Sequence, residues 1–432
     1  MSQPFATESG ITLASKLDQS VTHTPSPLTP RPPLRPGNPL VIKEILKLIL
    51  QFADQRSRAA ASKVCQLWSG IALDELWRSL PSIFPLLKLL THRKWVLTPT
   101  TYHKNLLSSL AKADWDRFKQ YALRVRSVGA GHTGRADLPL DSAALVQMFG
   151  PSPLLPNLKT LSWRFIQSKN CMSIVPFIGP KLESLVLVME EGIESLEQSL
   201  LMQSLSRRMP ALKSLRLVSF SPAHHMTTSL AALISSSPKL TRIELPPFFL
   251  TQEIVAATAQ LPLLAELSFS KWTKAAETYH ESGMSFKFTP ASFLGLDILS
   301  FASLPNRMAE VLQSTDHVGR LRTVFLDCPA YNSLREVENV FAALGSGAQN
   351  LDNVQLVCSP IPQLASSSSK DSLSVDTIRP LFSCTQLRRL YLSAPHMVPL
   401  QDEDVIEMGK CWPAMRNLIL CPSPLVNRDR GQ

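Results

Sequence analysis

Catalysis needs a nucleophile within reach of a base, or several ligands that converge on one metal. This chain of 432 residues offers few candidates for either. It contains no H-E-x-x-H, G-x-G-x-x-G, P-loop or G-x-S-x-G pattern. His224 and His225 adjoin each other near a turn without an acidic or cysteine neighbour, which reads as a loop rather than a metal site. The Ser-x-x-Lys spacing that ends at Lys370 belongs to a serine tract and carries no weight. Asp402-Glu403-Asp404 stands where a helix should begin, and carboxylates there favour the helix dipole. The seven cysteines, odd in number and without a C-x-x-C pair, support neither a disulfide framework nor a structural zinc site. They read as small core hydrophobes. The expectation is a protein with no catalytic residue, no metal and no cofactor.

What remains is the chemistry of binding. Residues 1–140 carry the whole net charge of +10, while residues 141–432 are neutral. Such asymmetry points to two parts with different partners. Between 88 and 126, Lys88, Arg93, Lys94, Lys104, Lys112, Arg117, Lys119, Arg124 and Arg126 are interleaved with Trp95, Trp115 and Tyr121. That mixture can bind single-stranded nucleic acid, but no RNP-type or recognition-helix pattern accompanies it, and a helical connector with a solvated basic face is the favoured reading. Proline crowds residues 24–36, so the first 38 residues read as a disordered leader with polyproline II character. Within it Pro30, Pro33 and Arg35 fit a P-x-x-P-x-[KR] ligand, and Thr24, Ser26 and Thr29 each precede proline. No run of 18 apolar residues occurs, and the first residues lack a basic-then-apolar signal. The expectation is an intracellular protein, cytoplasmic or nuclear.

From residue 40 to about 90 the pattern becomes helical. Val41, Ile45, Leu46, Ile49 and Leu50 recur at three- and four-residue spacing as one apolar stripe. Ala59–Ala61, Val64, Cys65, Trp68, Ile71 and Ala72 predict a second helix, followed by Leu76 and Trp77 and a stop at Ser79-Leu80-Pro81. A module of ~45 residues lies near the lower size limit for a stable core, so help from a partner is expected.

From residue 158 the chain repeats a pattern L-x-x-L-x-L ten times. Its first apolar residues are Leu158, Leu182, Leu212, Leu240, Leu264, Leu296, Leu321, Leu351, Leu387 and Met415. A proline stands two positions before six of them (Pro156, Pro180, Pro210, Pro238, Pro262 and Pro413). Helix-like segments follow at 195–209, 227–237, 253–261, 307–318, 333–344 and 402–412. A short strand, a turn and a helix per unit match leucine-rich repeats of the longer kind. Each such unit has an apolar face that only stacking can bury, which predicts an α/β solenoid of about ten irregular repeats. The usual polar ladder residue, three places after the last strand leucine, is missing. The longest step between repeats contains the serine tract 366–369, read as a disordered loop. Val125–Val128 reads as an additional, capping strand.

Val41–Leu50, then Val64-Cys65-Gln66-Leu67-Trp68 after a gap, then Ile71-Ala72 and Leu76-Trp77, resemble the F-box, whose pattern runs roughly L-P-x-E-I-L-x-x-I-F, a gap, V-C-[KR]-x-W, I-A and L-W. With the repeats behind it, the chain is similar to F-box/leucine-rich-repeat proteins, particularly fungal ones. Ile42 stands where the family usually has proline, Arg58 where it usually has an apolar residue, and Gln66 where Lys or Arg is common. The resemblance implies the substrate-recognition subunit of an SCF-type (cullin–RING) ubiquitin ligase, a non-catalytic role in ubiquitin-dependent degradation. In that role Val41, Ile42, Ile45, Ile49, Val64, Cys65, Trp68 and Trp77 would meet an acidic adaptor subunit, and through it the cullin. The repeats would hold a protein substrate. Side chains alternate along a strand, so the positions between the leucines are expected to point out of the core onto the inner, concave side of the solenoid. Among these, Arg216, Arg242, Phe325, Arg389 and Tyr391 are of the types that dominate interfaces.

The expected organisation is a leader over 1–38, a small all-α F-box module over 39–82, a basic connector or capping repeat over 83–140, a leucine-rich-repeat solenoid over 141–424 and a tail over 425–432. The alternatives are a leucine-rich-repeat scaffold outside any ligase, or nucleic-acid binding through residues 88–126.

Overall fold

The structure is a computed structural model, and it describes residues 42–90, 112–129, 152–165, 168–189, 195–219, 223–269, 293, 295–313, 318–328, 334–358, 374–394 and 399–421. The proline-rich leader, Val41, most of the basic stretch with Trp95, the serine tract and the tail lie outside the described residues. So do eight of the ten ladder positions, Phe248 and Leu304 excepted. The chain divides into two compact units, Met1–His132 and Thr133–Gln432.

The described part of the first unit begins with three helices, α1 (Lys43–Phe52), α2 (Gln55–Ala61) and α3 (Gln66–Trp77). The single helix expected over 59–72 is therefore two. After Ala61 the chain tightens, Lys63 and Val64 donating their N–H groups to the carbonyls of Ala60 and Ala61. Cys65 then extends (φ −160°, ψ 172°) before α3 starts. No glycine or proline marks this break. Asp54 announces α2 by accepting the Ser57 N–H at 2.6 Å, an N-cap that satisfies one of the helix's orphan donors. Leu46, Leu50, Ala61 and Ala72 form a small core, with Ala53, Leu67, Trp68 and Ile71 packed against it.

After α3 come β1 (Ser79–Leu80), α4 (Phe84–Leu87), α5 (Lys112–Ala122) and β2 (Ser127–Val128). The expected strand at 125–128 is present, and it runs parallel to β1, which had read only as a stop. Ile83, Leu86, Phe118, Ala122, Val125 and Val128 are buried here.

Among the described residues, the second unit holds ten more parallel strands. They are β3 (Thr160–Phe165), β4 (Ser184–Met189), β5 (Ser214–Ser219), β6 (Arg242–Leu245), β7 (Glu266–Phe269), β8 (Ile298–Ala302), β9 (Thr323–Cys328), β10 (Asn353–Cys358), β11 (Arg389–Ser393) and β12 (Asn417–Leu420). Each pairs with the next in sequence, and each begins at the third position of the repeated motif. The register of the sheet is thus the register of the sequence pattern, third position against third and fifth against fifth.

The prolines, present in six of the ten units, fit the turn by which most strands start. In eight units the first leucine of the motif, or Met415, donates its N–H to the carbonyl three residues earlier, as Leu158 does to Leu155 and Leu240 to Ser237. A residue two places before that leucine occupies the second position of the turn, where proline's fixed φ is already correct. One carbonyl of each strand's approach then accepts two N–H groups from the next unit, as Lys159 accepts from Glu183 and Ser184.

Helices α6 (Ser195–Ser206), α7 (Thr227–Ser235), α8 (Gln252–Ala259), α9 (Pro305–Gln313), α10 (Leu334–Gly347) and α12 (Asp402–Cys411) fall where the sequence placed them; a short α11 (Val375–Ile378) precedes β11. Gln401 and Asp404 form a capping box that starts α12 at the expected acidic cluster. The motif leucines fill the core: Leu161, Leu185, Leu215, Ile243, Leu267, Leu299, Val324, Val354 and Leu390 are each at most 5% exposed. Their counterpart in β12, Leu418, is 39% exposed, because no further strand lies beyond β12 among the described residues.

Candidate functional site

Helix α1 is apolar on two sides. Its inner side buries Leu46 and Leu50. Its outer side carries Ile42, Ile45, Ile49 and Phe52, spaced three, four and three residues apart, with Leu48 beside them. Ile45 is half-buried, Ile42 and Ile49 are exposed, Leu48 is 55% exposed and Phe52 90%. The stripe read as one face in sequence is therefore divided between a core and a free surface. Exposed Val64, in the turn before α3, adds a further apolar side chain. Leu48 and Phe52 were missing from the expected site, although the spacing of Ile45 and Ile49 extends to Phe52.

The other expected contact residues are placed as follows. Cys65 is half-buried at the N-cap of α3. Trp68 is half-buried against the helical core. Trp77 packs against Tyr121 of α5, the rings tilted by 42° with centroids 4.5 Å apart, and is thus engaged within its own unit. Arg58 lies half-buried between helices, its guanidinium donating to the carbonyls of Leu50 and Gln51 at 2.8 Å each and of Glu75 at 3.5 Å.

The described part of the basic stretch is similarly occupied. Trp115 stacks on Phe118 with the Lys119 ammonium 5.4 Å from its ring. Arg124 pairs with Asp74 and donates to the Gly70 carbonyl, and Arg126 donates to the Leu123 carbonyl.

On the sheet, the residues between the leucines form rows across the strands. The fifth-position row runs Ser162, Val186, Arg216, Glu244, Ser268, Ser300, Phe325, Gln355, Tyr391 and Ile419. Arg216 and Glu244 are neighbours in it and form an ion pair at 3.3 Å. Arg242 pairs with Glu266 in the adjacent row at 3.0 Å. Two of the three arginines expected to meet substrate are thus tied to acids one strand away. Phe325 and Tyr391 are half-buried on the outward face, and Arg389 is exposed.

The histidine pair is structural in setting. His225 Nε2 lies 2.6 Å from Gln198 Oε1, and the His224 ring meets Phe248 edge-on. Burial, and then the charge of His224, lowers the His225 pKa. Among the described residues no group of three His, Cys, Asp or Glu side chains is arranged to hold a metal. The seven cysteines are free; five are buried, and Cys65 and Cys411 are half-buried. Burial, followed by the neighbouring Glu197, pushes the Cys171 thiol up to about 12. The hydrogen bond to Cys328, then burial, raises Cys358 as well. These thiols are held protonated, the state of packed core groups rather than nucleophiles.

Three helices around a small core, with an apolar stripe left outside, coincide with a family match: residues 43–80 match the model of F-box-like domains. The chain therefore carries an F-box-like domain, and the match spans α1 to α3 and β1. No curated protein matches the chain.

Proposed function

We propose that this protein is the substrate-recognition subunit of an SCF-type cullin–RING ubiquitin ligase, acting without catalytic residues of its own in the cytoplasm or nucleus. The F-box-like domain docks on the acidic adaptor, and the parallel-stranded unit behaves as a leucine-rich-repeat solenoid that holds a protein substrate. One observation carries the reading: the matched domain, with Ile42 just before it, leaves Ile42, Leu48, Ile49, Phe52 and Val64 exposed together with half-buried Ile45, Cys65 and Trp68. An apolar helical stripe beside a marginal core is what helix-in-groove recognition uses. Trp77 contributes indirectly in this reading, by fixing α3 against α5.

Co-purification of the full chain with the adaptor tests it. Ile49→Asp and Phe52→Asp each place a charge on the outer side of α1 and are expected to abolish capture without changing the circular dichroism spectrum. Undiminished capture by the double variant would refute adaptor docking through this surface.

A further inference from the structure

Charges beside the outward face of the sheet divide into two regions. From β3 to β7 they are matched across neighbouring units. Glu183 lies between Lys159 and Lys213, at 2.8 and 3.0 Å, and the Arg216–Glu244 and Arg242–Glu266 pairs follow. At the last two strands this matching fails. Arg388 pairs with Asp352 at 3.2 Å. The next unit, however, places Arg416 where an acid would continue the alternation, its N–H bonded to the Arg388 carbonyl. Arg389 stands between Asn353 and Asn417 in the register. Arg389 and Arg416 are both exposed, and neither makes an ion pair among the described residues.

Arg388 and Arg416, one residue before β11 and β12, and Arg389 at the start of β11 bring three guanidinium groups to the entrances of two adjacent strands; with one carboxylate among them, they repel each other unless an anion joins them. Beside them the row Phe325, Gln355, Tyr391 and Ile419 crosses β9 to β12 in register. At ~4.8 Å per strand its ends are about 14 Å apart, the reach of four or five extended residues. Tyr391 lies two residues beyond Arg389 on the same face, about 7 Å along the strand.

We infer that the outward face of β9–β12 binds an extended segment of a partner protein in which an anionic side chain adjoins apolar ones. The anion sits between Arg389 and Arg416, where forked guanidinium hydrogen bonds suit a carboxylate or a phosphate. The apolar side chains lie on Phe325, Tyr391 and Ile419. This inference rests on the proposed role of the strand face in substrate binding and names the chemistry that the substrate presents. Aspartate, glutamate and phosphoserine offer the same oxygen edge to a guanidinium, and the test separates them.

The full-length protein is panned against a displayed library of random twelve-residue peptides, once with the standard amino acids and once with phosphoserine encoded. Enriched peptides are then measured by fluorescence anisotropy against the unaltered protein, an Arg389→Ala/Arg416→Ala variant and a Phe325→Ala/Tyr391→Ala variant. The expected peptides carry an anion next to apolar residues, and the arginine variant weakens them by roughly tenfold or more for each guanidinium removed. Replacing the anion by asparagine or serine produces the same loss. Enrichment in only one library assigns the anion to that source. Enrichment of neutral peptides, full binding by the arginine variant with its melting curve unchanged, or no enrichment at all would overturn the inference. Adaptor capture is measured on the same preparations. Its failure would sink the ligase reading while leaving the peptide result to stand or fall separately.

Discussion

Arg58 occupies a position where the F-box pattern usually carries an apolar side chain, and the structure gives the exchange a physical role. Helix α1 ends with carbonyls that have no intrahelical partner, and the guanidinium takes those of Leu50 and Gln51 together with that of Glu75 near the end of α3. Arg58→Ala is expected to cost ~1.5–3 kcal/mol, the worth of charged hydrogen bonds in a half-buried setting. Hydrogen exchange would show it as faster exchange of α1 and α3 amides; Arg58→Met, which keeps the packing but not the donors, should show most of the same loss. Glu183 offers a second test at this scale. Hydrogen bonds from Lys159, then from Lys213, hold its pKa near about 2, against an ordinary 4.5. The stabilisation is therefore present above pH 4.5 and disappears as the pH falls through about 2. Carboxyl titration by NMR should give that low midpoint, and Lys159→Ala/Lys213→Ala should return it towards the ordinary value.

Among the elements, the ten strands repeat one design, and their ends show what repetition supplies. Leu390 in β11 is buried between neighbouring units, so Leu390→Ala should cost ~2–5 kcal/mol through lost transfer energy and a residual cavity. Leu418 holds the same motif position in β12 with one side open, and Leu418→Ala should cost only ~1 kcal/mol. Equal losses in urea unfolding would mean that something covers β12 in solution. Helix α10 shows a different constraint. A methyl group at Gly345 would stand 2.0 Å from the Pro380 carbonyl oxygen, which is main chain and cannot rotate away. The Ser383 hydroxyl also donates to the Gly345 carbonyl at 2.7 Å, holding the two segments together. Gly345→Ala should destabilise by ~1–3 kcal/mol, the cost of overpacking, despite alanine's better helix propensity.

For the whole molecule, charge distribution is the property that no single element carries. Residues 1–132 hold a net +10 and the remainder is neutral, so docking on an acidic adaptor is expected to be steered by long-range attraction. Raising salt from 50 to 500 mM should slow association about tenfold or more and leave dissociation nearly unchanged, which stopped-flow mixing would resolve. Strand positions and register, and the six long helices described in the second unit, were legible in the sequence. A motif repeated ten times with prolines at a fixed offset specifies both where a strand starts and which face it buries. The F-box pattern was legible too, because V-C-x-x-W and the trailing L-W keep their spacing. The sequence could not say how the apolar residues of α1 divide between inside and outside: Leu46 and Ile49 look alike until α3 packs against one of them. Nor could it say that Trp77 is taken by Tyr121, or that Arg216 and Arg242 are matched by acids one strand away while Arg389 and Arg416 are not. Periodicity along a chain fixes what each element wants to bury; which surface is finally left free depends on neighbours distant in sequence, and only the tertiary structure brings those together.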